Sequence, residues 1–223
     1  DQETGAVAVV DPADADAIIA ALEAAGGRLD LILLTHHHAD HIAGAEAVRA
    51  RFRAAIVGNR KDAARLPRLD RPVAEGDTIL LGAAQARVIE TPGHTIGHIA
   101  YFFPEGPALF CGDTLFSLGC GRLLEGTAAE LFDSLHKFDA LPGDTLVCCG
   151  HEYTASNAGY ALHVDPANPA LRARAEAVRA LRAAGCFTVP SRLADERAEN
   201  PFLRAASVAE FATLRTGKDN WKG

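Results

Sequence analysis

Four imidazoles and a carboxylate fall within six consecutive positions of the segment Thr35-His36-His37-His38-Ala39-Asp40-His41. Imidazole nitrogens and carboxylate oxygens are the donors that zinc, manganese and iron accept. Side chains two apart in an extended segment share a face, so His36 and His38 point the same way. Asp40 and His41 can then turn with the chain toward a second cation. Taken singly, each histidine would be a core or surface residue and Asp40 the N-cap of a helix beginning at Ile42. Taken together after an apolar strand, they are too many ionisable groups to bury without compensation, and a metal centre is the chemistry they imply.

Three later segments set further donors beside turns. Thr91-Pro92-Gly93-His94-Thr95 makes His94 the tip of a Pro-Gly turn, Cys111-Gly112-Asp113-Thr114 ends an apolar run, and Cys149-Gly150-His151-Glu152-Tyr153 ends another. Each alone is an ordinary turn or cap. In this order, behind the first motif, they resemble the metallo-β-lactamase superfamily. The resemblance implies His36, His38 and His94 around one metal, Asp40, His41 and His151 around another, and Asp113 bridging both. A carboxylate can hold two cations about 3.5–4 Å apart with a hydroxide between them. The expected cofactor is therefore a pair of divalent ions, zinc first, with iron or manganese as alternatives. His37, His98, His136 and His163 are left over; His37 should face away from its neighbours, and His98 should support the ligands or the fold.

The elements that must position these residues follow from patterning. A strand over about 6–10, a helix over 14–25, a strand over 30–34, a helix over 42–53 and a strand over 54–58 make a β-α-β-α-β series, so a layered α/β sheet is expected. From Asp77 successive strands are expected at about 78–81, 85–90, 98–103 and 108–111, then a helix over 128–139 and a strand over 145–149. Beyond His151 the chain reads as helical, over about 154–163, 169–184 and 207–215. The predicted class is α/β, a four-layer αβ/βα metallo-β-lactamase sandwich with a C-terminal helical domain. The expected division is a metal-binding catalytic domain over 1–160 and a helical domain over 161–223.

The superfamily holds several chemistries, and the remaining residues must choose among them. Asp113-Thr114-Leu115-Phe116, Gly119-Cys120-Gly121-Arg122, Glu125-Gly126-Thr127, Asn200-Pro201-Phe202-Leu203-Arg204 and Leu214-Arg215-Thr216-Gly217-Lys218-Asp219 are similar to the glyoxalase II, or hydroxyacylglutathione hydrolase, family over nearly the whole chain. The family resemblance implies hydrolysis of S-2-hydroxyacylglutathione (S-D-lactoylglutathione) to glutathione and a 2-hydroxy acid, as in methylglyoxal detoxification. A bridging hydroxide would attack the thioester, oriented by the catalytic carboxylates Asp113 and Asp40. Arg215 and Lys218 would pair with the glycyl carboxylate, Tyr153 would hydrogen-bond the tripeptide, and Arg122 would hold the cysteinyl-glycine backbone. A thiolate leaving group needs little proton assistance, and no general acid stands out. Two positions depart from the family: Arg122 stands where Lys is usual, and Leu124 where many members have Tyr. The family also carries one or two strands before the counterpart of Gly5-Ala6-Val7, so either a start is missing or a sheet edge needs cover. The alternatives are a persulfide dioxygenase, another thioesterase or lactonase of this fold, or a catalytically dead binding module.

Composition fits these expectations. A net charge of −7 argues against nucleic acid as main partner, although residues 170–223 carry +4 against −11 before them, a balance suited to an anionic ligand. No apolar run approaches the roughly 18 residues of a membrane span. Five cysteines without C-x-x-C spacing indicate neither a disulfide framework nor a zinc ribbon. With no secretory leader visible, a cytoplasmic monomer acting on a small-molecule glutathione thioester, without membrane or nucleic-acid partners, is expected.

Overall fold

The computed structural model describes residues 1–222. The chain forms two compact units, one made of residues 1–90 with 97–106, the other of 91–96 with the remainder from Pro107.

In the first unit the expected β-α-β-α-β series is present: β1 (Ala8–Val10), α1 (Ala15–Ala24), β2 (Leu31–Leu33), α2 (Ala39–Ile42), α3 (Ala45–Phe52) and β3 (Ala55–Asn59). Together with β4 (Arg71–Val73) these strands pair in chain order, all parallel. Parallel strands covered on both faces read as continuous apolar runs, and β2 is buried at all three positions. Ile32, Leu34, Val48 and Ile56 are fully buried in its core, with Ile18, Ile19 and Leu22 of α1 packed against it. Each such side chain contributes roughly 1.5–3 kcal/mol through burial. Asp14 caps α1 by accepting from Ala17 N at 3.1 Å.

The single helix expected over 42–53 is two helices, broken at Ala43-Gly44. Gly44 N donates to Pro12 O at 2.9 Å, and a Cβ at Gly44 would lie 2.7 Å from that oxygen. The close approach of the loop after β1 therefore interrupts the helix. Strand β4 adds to the strands expected from the sequence; it lies at the sheet edge, where the missing Pro72 N–H is tolerated. The unit ends in an antiparallel meander of β5 (Thr78–Leu81), β6 (Ala84–Glu90) and β7 (Ile99–Phe103). Tyr101 of β7 is fully buried and donates its hydroxyl to Leu34 O at 2.8 Å.

The second unit contains β8 (Ala108–Gly112), the hairpin β9 (Leu115–Phe116) and β10 (Gly119–Cys120), α4 (Ala128–His136) and β11 (Leu146–Cys149). Helices α5 (Thr154–Val164) and α6 (Pro169–Ala183), strand β12 (Ser191–Arg192), and helices α7 (Leu193–Glu199) and α8 (Val208–Asn220) follow. β8 and β11 pair in parallel, with a register shift between Cys148 and Cys149; such irregularities re-aim the residues that follow, here His151. Helix α4 begins with a capping box between Thr127 and Glu130, and α6 begins with Asn168 as cap and Pro169 in its first turn. Leu118, Ala158, Ala161, Leu171 and Ala175 form a core beneath α5 and α6.

The β9–β10 hairpin, β12 and α7 had no counterpart among the sequence expectations. Helix α8 runs five residues beyond its expected end at 215. Gly217 reads as a stop, but its missing Cβ leaves room for Tyr160, whose hydroxyl oxygen would lie 2.4 Å from one and donates to Leu214 O at 2.6 Å. Among the described residues no helix is long and apolar enough to cross a membrane.

Candidate metal centre

In the first unit the chain leaving β2 carries Thr35, buried His36 and half-buried His38, while α2 presents exposed Asp40 and buried His41. Asp11, just after β1, organises them. It accepts from Thr35 N at 2.8 Å and from Thr35 Oγ1 at 2.6 Å, and its Oδ2 lies 2.8 Å from His41 Nδ1. A carboxylate can only accept, so His41 carries its proton on Nδ1 and keeps a lone pair on Nε2. Thr35 has given its one hydroxyl proton to Asp11, so Thr35 Oγ1 accepts from His36 Nδ1 across 3.0 Å. The lone pair of His36 is therefore also on Nε2, and it faces His38 Nδ1 at 3.0 Å. Donor atoms of Asp11, His36 and His41 gather within 4.8 Å of one another. His37 turns to Asp62, at 3.1 Å, and buried His98 stacks on His36 with ring centroids 4.8 Å apart.

In the second unit His94 Nδ1 lies 2.9 Å from Arg122 O. A carbonyl only accepts, so the His94 lone pair is again on Nε2. That nitrogen is 3.5 Å from Asp113 Oδ2, and His151 Nε2 is 3.4 Å from the same oxygen. A lone pair facing a carboxylate oxygen in a buried setting calls for a cation between them, a second ring proton or a metal ion. Gly121 makes the approach possible: a Cβ there would lie 2.0 Å from Asp113 O and 3.2 Å from the His94 Cβ. Nitrogen and oxygen donors with lone pairs fixed by outer hydrogen bonds fit a divalent ion.

The same unit gathers cations around Asp219. Arg215, 4% exposed, donates to Cys120 O and to Asp219 at 2.9 Å each. Arg122, largely exposed, lies 3.7 Å from Asp219. Lys218 donates to Ser156 O and Oγ at 3.0 Å, and burial, with Arg215 and Arg122 nearby, brings its ammonium down to about 8. Tyr153 is half exposed, stacks on His151 at 4.8 Å and meets Phe116 edge-on at 5.4 Å.

Residues 2–151 match the metallo-β-lactamase superfamily model, and residues 152–221 match that of the hydroxyacylglutathione hydrolase C-terminus. The hydroxyacylglutathione hydrolase of Acidiphilium cryptum is 63% identical over 217 residues, 97% of this chain and 89% of that protein. The Rhodospirillum rubrum hydroxyacylglutathione hydrolase is 59% identical over 97% of this chain and 85% of its own length. The chain belongs to the hydroxyacylglutathione hydrolases. ETHE1 from Myxococcus xanthus is similar in structure, with TM-score 0.73 at 27% identity over 96% of this chain and 81% of that one. TTHA1623, solved in a di-iron-bound form, gives 0.57 at 30% identity over 67% and 84%. The fold of this hydroxyacylglutathione hydrolase is thus the metallo-β-lactamase fold with a C-terminal helical region, as expected, and its His/Asp clusters imply divalent metal ions.

Sequence reasoning about the hydrolase missed Asp11 and Asp219. Asp11-Pro12 reads as the end of a strand, and only its position opposite Thr35 and His41 reveals its part. Asp219 carried a signal, the i,i+4 spacing from Arg215. The cysteines stay outside the donor set: all five are free, and burial pushes the thiols of Cys120 and Cys149 up to about 11.

Proposed function

We propose that this chain hydrolyses S-2-hydroxyacylglutathione, S-D-lactoylglutathione first, to glutathione and a 2-hydroxy acid, using two divalent cations, zinc before iron or manganese. The observation that carries the reading is the His94 Nε2 lone pair aimed at Asp113 Oδ2 from 3.5 Å, with His151 at 3.4 Å from the same oxygen. On this reading His36, His38 and His94 would hold one cation and Asp40, His41 and His151 the other, with Asp113 serving both. Such ions, when bound, supply Lewis acidity and a water acidified toward neutral pH.

The chain's own residues supply orientation. Asp113 and Asp40 direct the attacking water, and Arg122, Tyr153, Arg215 and Lys218 receive the tripeptide. Arg215 is held inward by Cys120 O and Asp219, which makes it the fixed base of the cluster, with Lys218 and Arg122 nearer to solvent. Leu124, 59% exposed, offers no hydrogen bond where many members have Tyr, so the tripeptide depends more on the cations. The proposed division of labour assigns catalysis to 1–160 and glutathione binding to 161–223, although α5 passes through that boundary as one helix. A cytoplasmic monomer is the form proposed.

The test is hydrolysis of S-D-lactoylglutathione with elemental analysis of the purified protein. Turnover with two metals per chain, lost to a chelator and restored by zinc, is the expected result. One iron per chain, with oxygen uptake on glutathione persulfide and no thioester hydrolysis, would replace this reading by the dioxygenase, which the 63% and 59% identical hydrolases make the weaker alternative.

A further inference from the structure

Four consecutive residues between the two strands of the β9–β10 hairpin and at their ends, Phe116 to Gly119, are gripped by side chains from the helical part of the second unit. Leu118 has φ 57°, a left-handed conformation rare for a residue with a Cβ, and donates its N–H to Glu196 Oε2 at 2.8 Å. Asn200 Nδ2 donates to Phe116 O at 3.2 Å and Gly119 O at 3.0 Å. Asn157 Nδ2 reaches Ser117 O at 3.1 Å, and Arg174 Nη2 reaches Ser117 Oγ at 2.8 Å. Glu196 and Asn200 are fully buried. They join each other at 3.1 Å, and Glu196 is also ion-paired with Arg174, which holds Glu199 at 2.9 Å.

This turn stands between the residues that matter on either side. Asp113 lies two positions before β9. The Phe116 ring lies 6.0 Å from that of His151 and 5.4 Å from that of Tyr153. After the turn, Cys120 O accepts from Arg215, and Arg122 O from His94. A shift of the turn would therefore move a metal-facing carboxylate and the tripeptide-facing groups together.

We propose that Glu196, with Arg174 and Asn200, is a positioning residue that fixes the Phe116–Gly119 turn and so sets Asp113, Tyr153 and Arg215 in register for the glutathione thioester. The proposal rests on the roles assigned to those residues above. Burial of a charged pair against backbone groups suits precision better than stability, since an apolar replacement of similar volume is often as stable.

The experiment compares Glu196→Gln and Ser117→Ala, which weaken the clamp while keeping its shape, with Leu171→Ala, which weakens the apolar core under Leu118 and touches none of the clamp's polar atoms. Each full chain, loaded with zinc, is assayed well below its Tm for KM and kcat with S-D-lactoylglutathione, and for binding of S-methylglutathione by calorimetry. Expected are a rise in KM and in the S-methylglutathione Kd of about tenfold for Glu196→Gln, less for Ser117→Ala, and neither for Leu171→Ala. An inactive wild type would overturn the reading of the site and this proposal with it. An active wild type, with Glu196→Gln and Ser117→Ala indistinguishable from Leu171→Ala at equal loss of Tm, would overturn the clamp alone.

Discussion

His94 turns its Nε2 toward Asp113 from 3.5 Å because its Nδ1–H donates to Arg122 O, 2.9 Å away. The arrangement needs the backbone of Gly121 between them, since a Cβ there would lie 2.0 Å from Asp113 O. Gly121→Ala should therefore push Asp113 and His94 apart. Metal affinity should fall by about 10–100-fold, the usual effect of disturbing groups that orient ligands, with kcat falling in parallel. Chelator competition measures the first and steady-state hydrolysis the second; unchanged affinity would remove Gly121 from the account.

Asp11 should matter as much from further away. Its carboxylate fixes the proton on His41 Nδ1 and takes the Thr35 hydroxyl proton that leaves His36 its Nε2 lone pair. Asn at this position keeps the shape and tolerates the left-handed φ of 49°, but its amide can present a donor where His41 needs an acceptor. Asp11→Asn should remain folded by circular dichroism and bind zinc about 10–100-fold more weakly. Equal zinc affinity in the two proteins would show that the histidine tautomers are set elsewhere.

The contrast between the two aspartates explains how far the sequence could be read. The Thr35–His41 string is legible because its donors are adjacent and follow a strand buried on both faces, so local spacing already implies convergence. Asp113, His94 and His151 are legible through their motifs and turns. Asp11, Glu196 and Arg174 are not, because what each does depends on a partner 22 to 78 positions away and nothing in the local pattern distinguishes them from a strand end or a solvated helix face. The same holds for the elements. Strands β2, β6 and β7 carry their own apolar periodicity. The hairpin β9–β10 and strand β12 are two residues long per strand and exist only through pairing and the side chains that hold them. Gly44 and Gly217 mislead in opposite directions. The first breaks a helix to admit Pro12 O, and the second sits inside a helix to admit Tyr160.

Stability can be perturbed without touching the site. Thr127 caps α4, and Glu130 closes the box by accepting from Thr127 N at 2.7 Å and Oγ1 at 2.8 Å. Thr127→Ala should cost about 1 kcal/mol, a fall in Tm of about 2–4 °C for a domain of this size, with KM and kcat unchanged. Those two hydrogen bonds, backbone first, hold the Glu130 carboxyl below its ordinary 4.5. A lowered folded-state value stabilises above the unfolded value, and that contribution disappears as pH falls through the folded one. The Tm gap between wild type and Thr127→Ala should accordingly narrow as pH drops below 4.5; a gap independent of pH would sever Glu130 from the cap.

Lys218 sets a second pH dependence, with the opposite sign for binding. Burial first, then Arg215 and Arg122, lower its ammonium from 10.5 to about 8, against the pull of Asp219. For stability, a lowered lysine value means that the folded chain releases its proton before the unfolded chain does. The charged form is a burden below pH 8, relieved as pH rises from about 8 toward 10.5. For an anionic ligand the protonated form is the useful one, so KM for the thioester should climb above pH 8 once the uncatalysed hydrolysis is subtracted. The substrate's own amino group also titrates on the alkaline side, and Lys218→Gln separates the two. The variant should start from a higher KM and lose the part of the climb due to Lys218. A KM profile of unchanged shape in Lys218→Gln would assign the whole limb to the substrate and place Lys218 outside the glutathione site.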